Sequence, residues 1–342
     1  MLKITMFSSA ETVPGQGVGS AYRELINLLQ TQYADRFELR FNRLGRTDVS
    51  HYHTIDLQFY LSTFLPGRGR KVGYVHFLPE TLEGSVQLWG PIKKIFYKYV
   101  IAFYRRMDQI VVVNPTFIPK LANYGIPEEK IQYIPNFVAK ESFFKKSPTE
   151  KQAIRTRLGF KIDDFIILGV GQVQERKGVL DFVELAKQNP QWQFIWAGGF
   201  SFGNITAGYE QLKQIVDNPP KNLHFPGIVE RDTMNDYYNL ADVFLLPSYN
   251  ELFPMSALEA FSAGVPTVLR DLDLYKSILA GYYLPATDRD DMQVQLNRLA
   301  QDESLRQELG DAARDASKRY SKQNVGQIWA AFYPEQAAKG RK

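Results

Sequence analysis

The chain has 342 residues, 44% of them hydrophobic and 23% charged, with a formal net charge of +4. That length suits two domains of roughly 150–170 residues better than one core, and the mild charge permits an anionic partner without pointing to nucleic acid. The absence of cysteine and a count of four histidines exclude disulfides and thiolate metal sites and leave little for a histidine-rich one, and no apolar run approaches the roughly 18–20 residues of a membrane span.

The start of the chain, Met1 to Phe7, reads as a first strand over 3–8 rather than a signal peptide, so a cytoplasmic protein is expected. A glycine loop follows, with Gly15, Gly17 and Gly19, and then a helix whose apolar face carries Tyr22, Leu25, Ile26 and Leu29. The loop departs from the spacing of a dinucleotide fingerprint, and no acidic residue follows at the right strand end. Strands over 37–41 and 71–75 come next, the second ending at His76. A lone histidine in that place is ordinarily a structural hydrogen-bonder.

The stretch from Gly90 to Arg106 predicts a helix with Ile92, Ile95, Phe96, Tyr99 and Phe103 on the face towards the core. A second face collects Tyr97, Ile101 and Tyr104 beside Lys94, Lys98 and Arg105, and aromatics flanked by cations suit an anionic membrane interface. Strands over 109–113 and 130–134 close the first half. Residues 136–161 are polar and charged, with Pro148 and a helix start at Ser147, and read as a linker.

The second half offers strands over 165–170, 193–197, 223–225, 243–246 and 267–270, again alternating with amphipathic stretches, which is the pattern of a parallel α/β sheet. After the first of these strands, Gly171 and the turn Arg176, Lys177, Gly178 bring backbone amides and cations to a helix start, a combination suited to a diphosphate. After the 243–246 strand the loop carries Glu251, and the helix over 255–263 contains Glu259. Two carboxylates beside a helix N-terminus are placed to accept hydrogen bonds from sugar hydroxyls while the helix end holds a phosphate. The acidic pairs Asp271/Asp273 and Asp288/Asp290 sit after a strand and at a helix start, where loop and cap roles are expected rather than a metal. A terminal helix over 321–334 sets Val325, Ile328, Trp329 and Phe332 on one face.

Glu251 and Glu259, with Pro247 and Ser248 before them and Gly264 to Val268 after, resemble the Glu-x7-Glu signature of retaining glycosyltransferases of family 4. Segments 111–115, 121–136, 169–178, 194–199 and 223–227 match the family's pattern in the same order. The resemblance implies an α/β, GT-B fold: two Rossmann-like domains facing across a cleft, expected over 1–140 and 141–320, with a last helix over 321–342 crossing back to the first. It implies that Glu251 contacts the donor sugar, Glu259 the ribose hydroxyls and Lys177 the phosphates, with His76 beside the reacting centre. Gly17, Gly19, Gly171, Gln172, Arg176, Leu252, Phe253, Met255 and Ser256 complete the implied donor site. The chain departs from the family at Gln172, where most relatives carry arginine. Either Arg176 substitutes, or the diphosphate is held by one cation plus amides.

The resemblance further implies a nucleotide-sugar donor, uridine being the commonest base, retention of anomeric configuration and no metal cofactor. The run from Ser8 to Tyr22 together with the 90–106 helix looks like the bacterial glycolipid glycosyltransferases that extend monoglucosyldiacylglycerol, the anchor glycolipid of lipoteichoic acid. That implies galactose or glucose as the transferred sugar and a peripheral position on an anionic membrane, at the inner face of the cell membrane. A soluble acceptor, or a non-catalytic nucleotide-sugar-binding protein, would share the same donor motifs.

Overall fold

The computed structural model describes residues 1–10, 17–76, 78, 90–201, 203, 206 and 208–340; Gly15 and the 11–16 part of the Ser8–Tyr22 run lie outside the described residues. The first half runs β1 (Leu2–Phe7), α1 (Gly17–Gln32), β2 (Phe37–Phe41), β3 (Val49–Tyr52), α2 (Leu57–Ser62), β4 (Arg70–Val75), α3 (Gly90–Arg105), β5 (Gln109–Val112), α4 (Phe117–Asn123) and β6 (Ile131–Tyr133). After α5 (Pro148–Arg157) the second half runs β7 (Ile166–Val170), α6 (Val179–Gln188), β8 (Gln193–Ala197), α7 (Tyr209–Asp217), β9 (Leu223–Gly227), α8 (Arg231–Leu240), β10 (Val243–Leu246), α9 (Met255–Ser262) and β11 (Thr267–Arg270). It closes with α10 (Asp273–Lys276), β12 (Leu284–Ala286), α11 (Arg289–Gln301), α12 (Glu303–Arg319) and α13 (Lys322–Gly340).

Both sheets have six parallel strands, in the orders β2-β1-β3-β4-β5-β6 and β12-β11-β10-β7-β8-β9. Parallel strands packed by helices on both faces are apolar throughout, and β5, β10 and β11 are buried at every residue. In the second sheet the chain order reverses between β7 and β10, and in the first between β1 and β3. Open α/β sheets bind ligands in the crevice outside the carboxyl ends of the strands at such a reversal, so the loops after β7 and β10 are the first place to look for chemistry.

Local chemistry sets the boundaries. Ser147 caps α5 by accepting the Glu150 N–H at 3.3 Å, while the Glu150 carboxylate accepts the Ser147 N–H at 2.8 Å. Asp288 caps α11 by accepting the Asp291 N–H at 2.9 Å, and Asp271 pairs with Lys276 at 3.3 Å, so the two acidic pairs serve loop and cap positions. The last helix, α13, lies on the first sheet: Arg36 donates to the Ala330 carbonyl at 2.9 Å, the Tyr333 hydroxyl meets His51 Nδ1 at 2.9 Å, and Trp329 is fully buried.

Strand β3, absent from the sequence reading, carries Ser50 and His51 and is nevertheless buried at all four residues, because α13 covers it. Strand β12 is three residues long, too short for a periodicity to register. The faces of α3 also differ from expectation. Ile101 and Tyr104, expected on the outward face, are buried, whereas Ile92 and Ile95, expected in the core, are exposed. At about 100° per residue the buried arc is turned by roughly a quarter turn, onto Val100, Phe103, Tyr104 and the following Met107. Apolar residues are spread around most of this helix, so periodicity left its facing open. The sheet selects the arc, since Met107 occupies the space above Gly73, where a Cβ would come within 2.6 Å of its Cγ. Lys94, Lys98 and Arg105 remain exposed and Tyr97 is half-buried under Lys93.

Candidate active site

The loops after β7 and β10 are laced together by backbone. The Tyr249 N–H donates to the Arg176 carbonyl at 2.8 Å, and Arg176 Nη1 reaches the Asn250 carbonyl at 3.3 Å. Gly178, between the short 3-10 turn Glu175–Lys177 and α6, has φ +71° and lies so close to the other loop that a Cβ would sit 2.2 Å from the Pro247 carbonyl oxygen. Only glycine satisfies both constraints. Buried Arg270, on the next strand, donates to the Pro247 carbonyl at 3.0 Å and pairs with Asp181, which also accepts the Tyr249 hydroxyl at 2.6 Å. The crevice wall is therefore fixed by three elements before any ligand arrives.

Out of this wall Lys177 Nζ donates to Glu251 Oε1, and the two side chains are 14% and 7% exposed. Burial pushes the Glu251 carboxyl up, but the charges of Lys177 and Arg176 outweigh it and hold the group below its ordinary value. Burial, opposed by Glu251 and reinforced by Arg176, holds the Lys177 ammonium below its own ordinary value. Glu251, held below its ordinary value, remains ionised near neutrality. A carboxylate held ionised and in place by Lys177 is equipped to accept hydrogen bonds from hydroxyls, not to act as a proton donor. Tyr275 is fully buried close by, its hydroxyl without a hydrogen-bond partner and biased by the charges of Glu251 and Arg176; nothing in its sequence setting marked it.

Gln172 is buried and its Nε2 has no partner, while Arg176 is half-buried with an unpartnered Nε and lies near enough to Glu251 and Lys177 to bias both. Gly171 adjoins Lys177, its nearest side chain. Phe253 and Met255 belong to the core, Phe253 packing 5.6 Å from the Tyr320 ring, which leaves their backbone for a ligand; Leu252 and Ser256 are partly exposed at the start of α9.

Glu259 sits one turn deeper on α9. Its carboxylate accepts Arg231 Nη1 at 3.1 Å and the Tyr238 hydroxyl at 2.7 Å, and burial raises its pKa against both. Arg231 also pairs with Glu24 of α1, so a buried carboxylate–guanidinium–carboxylate bridge joins the two halves. Glu24, Arg231 and Tyr238 were not candidates from the sequence, since the residues of the bridge are far apart along the chain and share no motif. A second tie runs from Asn114, after β5, whose Nδ2 donates to the Leu252 carbonyl at 3.5 Å and the Leu274 carbonyl at 3.2 Å.

Across the crevice, at the carboxyl edge of the first sheet, α1 starts at Gly17, and Gly19 approaches Ala10 so closely that a Cβ would lie 2.9 Å from its carbonyl oxygen. His76 follows β4, buried with Nε2 unpartnered, its ring 4.3 Å from Tyr74 and 5.9 Å from His53. Burial lowers its pKa to about 3, so the ring is neutral near pH 7 and offers one donor and one acceptor. His51 and His53 continue the cluster below it. Among the described residues no three His, Cys, Asp or Glu side chains group as a metal would need.

Comparison with known proteins agrees with this arrangement. Residues 150–316 match the family model described as Glycosyl transferases group 1, and residues 10–142 match Glycosyltransferase Family 4. The alpha-galactosylglucosyldiacylglycerol synthase of Streptococcus pneumoniae (strain ATCC BAA-255 / R6) is 52% identical over 342 residues, 100% of this chain and 91% of that protein. The processive diacylglycerol alpha-glucosyltransferase of Acholeplasma laidlawii is 28% identical over 204 residues, 58% of this chain and 59% of that one. Among solved structures, sucrose-phosphate synthase from Thermosynechococcus elongatus superposes with a TM-score of 0.83 at 16% identity, covering 99% of this chain and 100% of that chain. Anabaena Alr3699/HepE in complex with UDP-glucose gives 0.80 at 16% identity, covering 98% and 100%. These likenesses show the GT-B fold.

Proposed function

The chain belongs to glycosyltransferase family 4 and is a glycosyltransferase of GT-B fold, and from that premise we propose that it moves galactose or glucose from a UDP-sugar onto glucosyldiacylglycerol, with retention. The observation that carries this reading is the buried Lys177–Glu251 pair at the β7/β10 reversal, in a chain aligned end to end with a synthase named for a galactosylglucosyldiacylglycerol product. Anabaena Alr3699/HepE, a structural neighbour, has been solved with UDP-glucose, which supports a uridine donor.

In this reading Glu251, kept ionised and immobile by Lys177, accepts hydrogen bonds from the hexose hydroxyls, while Glu259 takes the ribose. The diphosphate lies over the amino end of α9, with Lys177 and Arg176 as its cations. As the bond between the anomeric carbon and the diphosphate oxygen breaks, negative charge grows on that oxygen, and preorganised amides and cations stabilise it more than they stabilise the ground state. The acceptor hydroxyl attacks the same face and passes its proton to the departing phosphate oxygen, so configuration is retained and no protein base is consumed. Neutral His76 lies on the opposite wall as a hydrogen-bond partner for sugar and acceptor. The cations do the work a metal would otherwise do, and none is invoked.

No helix among the described residues is long and apolar enough to cross a membrane. In this reading the enzyme works peripherally, at the inner face of the cell membrane, drawn to anionic lipid by the exposed Lys94, Lys98 and Arg105 of α3. The test is to incubate the protein with UDP-galactose or UDP-glucose, with and without monoglucosyldiacylglycerol, without added metal, and analyse the lipids. A dihexosyl lipid is expected. Transfer to soluble sugars alone, or no acceptor-dependent UDP release, overturns the reading.

A further inference from the structure

Four large apolar side chains on or just after α2 face solvent: Leu57 (62% exposed), Leu61 (57%), Phe64 (56%) and Leu65 (45%). Their spacing places them on one stripe, opposite Phe59 and Ser62, which face the interior. Helix α3 lies alongside. Tyr99 donates to the Ile55 carbonyl and packs 5.5 Å from Tyr60, and at the other end Arg106 donates to the Thr63 carbonyl at 3.0 Å with its guanidinium 4.2 Å from the Phe64 ring. Ile92 and Ile95, 53% and 69% exposed, lie on the same side of α3 as Tyr99, two turns and one turn respectively towards its amino end. Six exposed apolar side chains thus occupy one flank made by two adjoining helices. Contiguous exposed apolar patches of this kind mark interaction surfaces.

We propose that this flank is a bilayer-insertion surface: the α2 stripe with Ile92 and Ile95 enters the acyl boundary, while α3 supplies the charge. The occupant is argued from the rim. Lys94 and Lys98 of α3 are exposed and have no ion-pair partner among the described residues, and Arg106 stacks on Phe64 within the patch. Apolar residues bordered by cations match anionic lipid, with aliphatic chains below and phosphates above, rather than a protein partner of mixed charge. Position agrees as well. Helices α2 and α3 both begin at the carboxyl edge of the first sheet, the edge that carries His76. Docking by this flank sets the bilayer beside the crevice, so a glycolipid can present its sugar while its acyl chains stay in the membrane.

The inference rests on the lipid-acceptor reading and adds an apolar component that cations alone do not supply. It is tested with the full chain and vesicles of phosphatidylcholine with phosphatidylglycerol, by co-sedimentation at low and high salt. Wild type should bind at low salt and keep a salt-resistant fraction. Leu57→Ser/Leu61→Ser and Phe64→Ser/Leu65→Ser should each lower the high-salt fraction at least fivefold with UDP binding and the thermal midpoint unchanged, whereas Lys94→Ser/Lys98→Ser should lower mainly the low-salt binding. Salt-resistant binding that survives both apolar variants overturns the proposal, as does wild-type binding that vanishes at high salt; the lipid acceptor stands in both cases. A concentration-dependent dimer lost in the apolar variants, without change in vesicle binding, assigns the flank to a second copy and likewise overturns it. Loss of lipid product with vesicle binding intact fails the lipid-acceptor reading instead.

Discussion

Replacing Arg176 by glutamine tests whether this chain has moved a phosphate-binding cation from position 172 to position 176. Among the described residues the one hydrogen bond of the Arg176 side chain is a 3.3 Å contact to the Asn250 carbonyl, and its Nε is unpartnered. The substitution should therefore cost the folded state less than about 1 kcal/mol. Its effect on the ligand should be larger. A charged hydrogen bond is worth about 1.5–3 kcal/mol, and because Arg176 is half-buried, screening takes that to roughly 1–2 kcal/mol. At 1.4 kcal/mol per decade the loss is about 5- to 30-fold in the Kd for UDP. Calorimetric titration with UDP, UMP and uridine separates the causes: the loss should be greatest for UDP and absent for uridine. Adding Gln172→Arg to Arg176→Gln should restore much of the UDP affinity, since it puts a cation at the position where the family resemblance implies one. Unchanged UDP binding in Arg176→Gln, or an equal loss for uridine, refutes the reasoning.

Glu251→Gln should lower the rate of transfer by at least about a hundredfold while leaving UDP binding intact or tighter, because a negative charge is removed from beside the diphosphate; near-normal product formation would show that Glu251 does not contact the sugar. The buried histidines set an acid limit on the fold. His51 and His76 are lowered by burial from 6.5 to about 3, so the unfolded chain binds more protons between those values. Their contribution to stability is fully present above pH 6.5 and is lost as the pH falls towards about 3, each contributing a slope of up to roughly 1.4 kcal/mol per pH unit. Urea unfolding at stepped pH should show this slope, and it should flatten in His51→Phe; an unaltered slope would mean the ring is protonated in the native state. The same lowering means that an acid limb near pH 6–7 in the transfer rate should not move in His76→Asn.

The alternation of strand and helix, the two-unit organisation and the location of Lys177 and Glu251 in turns after strands of the second half were legible in the chain; that the two side chains pair was not. Each is local, or follows from a general rule. Segments that follow parallel strands fall at one edge of a sheet, so the turn after β7 and the loop after β10 share that edge, and the adjacency of β10 and β7 in the strand order brings them together. Gly178 is legible for the same reason, as a short turn with a conformation that few residues accept.

Other features depended on which surfaces came together. Ser50 and His51 make β3 look like a loop, and only the arrival of α13 from the far end of the chain makes it a buried strand. The bridge from Glu24 through Arg231 to Glu259 joins the two halves, and no periodicity encodes a contact between residues so far apart. The facing of α3 is the sharpest case: its sequence offers apolar residues around most of its circumference, and packing against Gly73 through Met107 decided which became core. Sequence by itself determined where the Lys177 turn and the Glu251 loop fall along the chain, because backbone conformation and strand-end loops are specified over a few residues. Tertiary structure alone decided which side chains are buried with it and which apolar flank is left facing outwards, because burial is a property of two surfaces and the chain writes only one of them at a time.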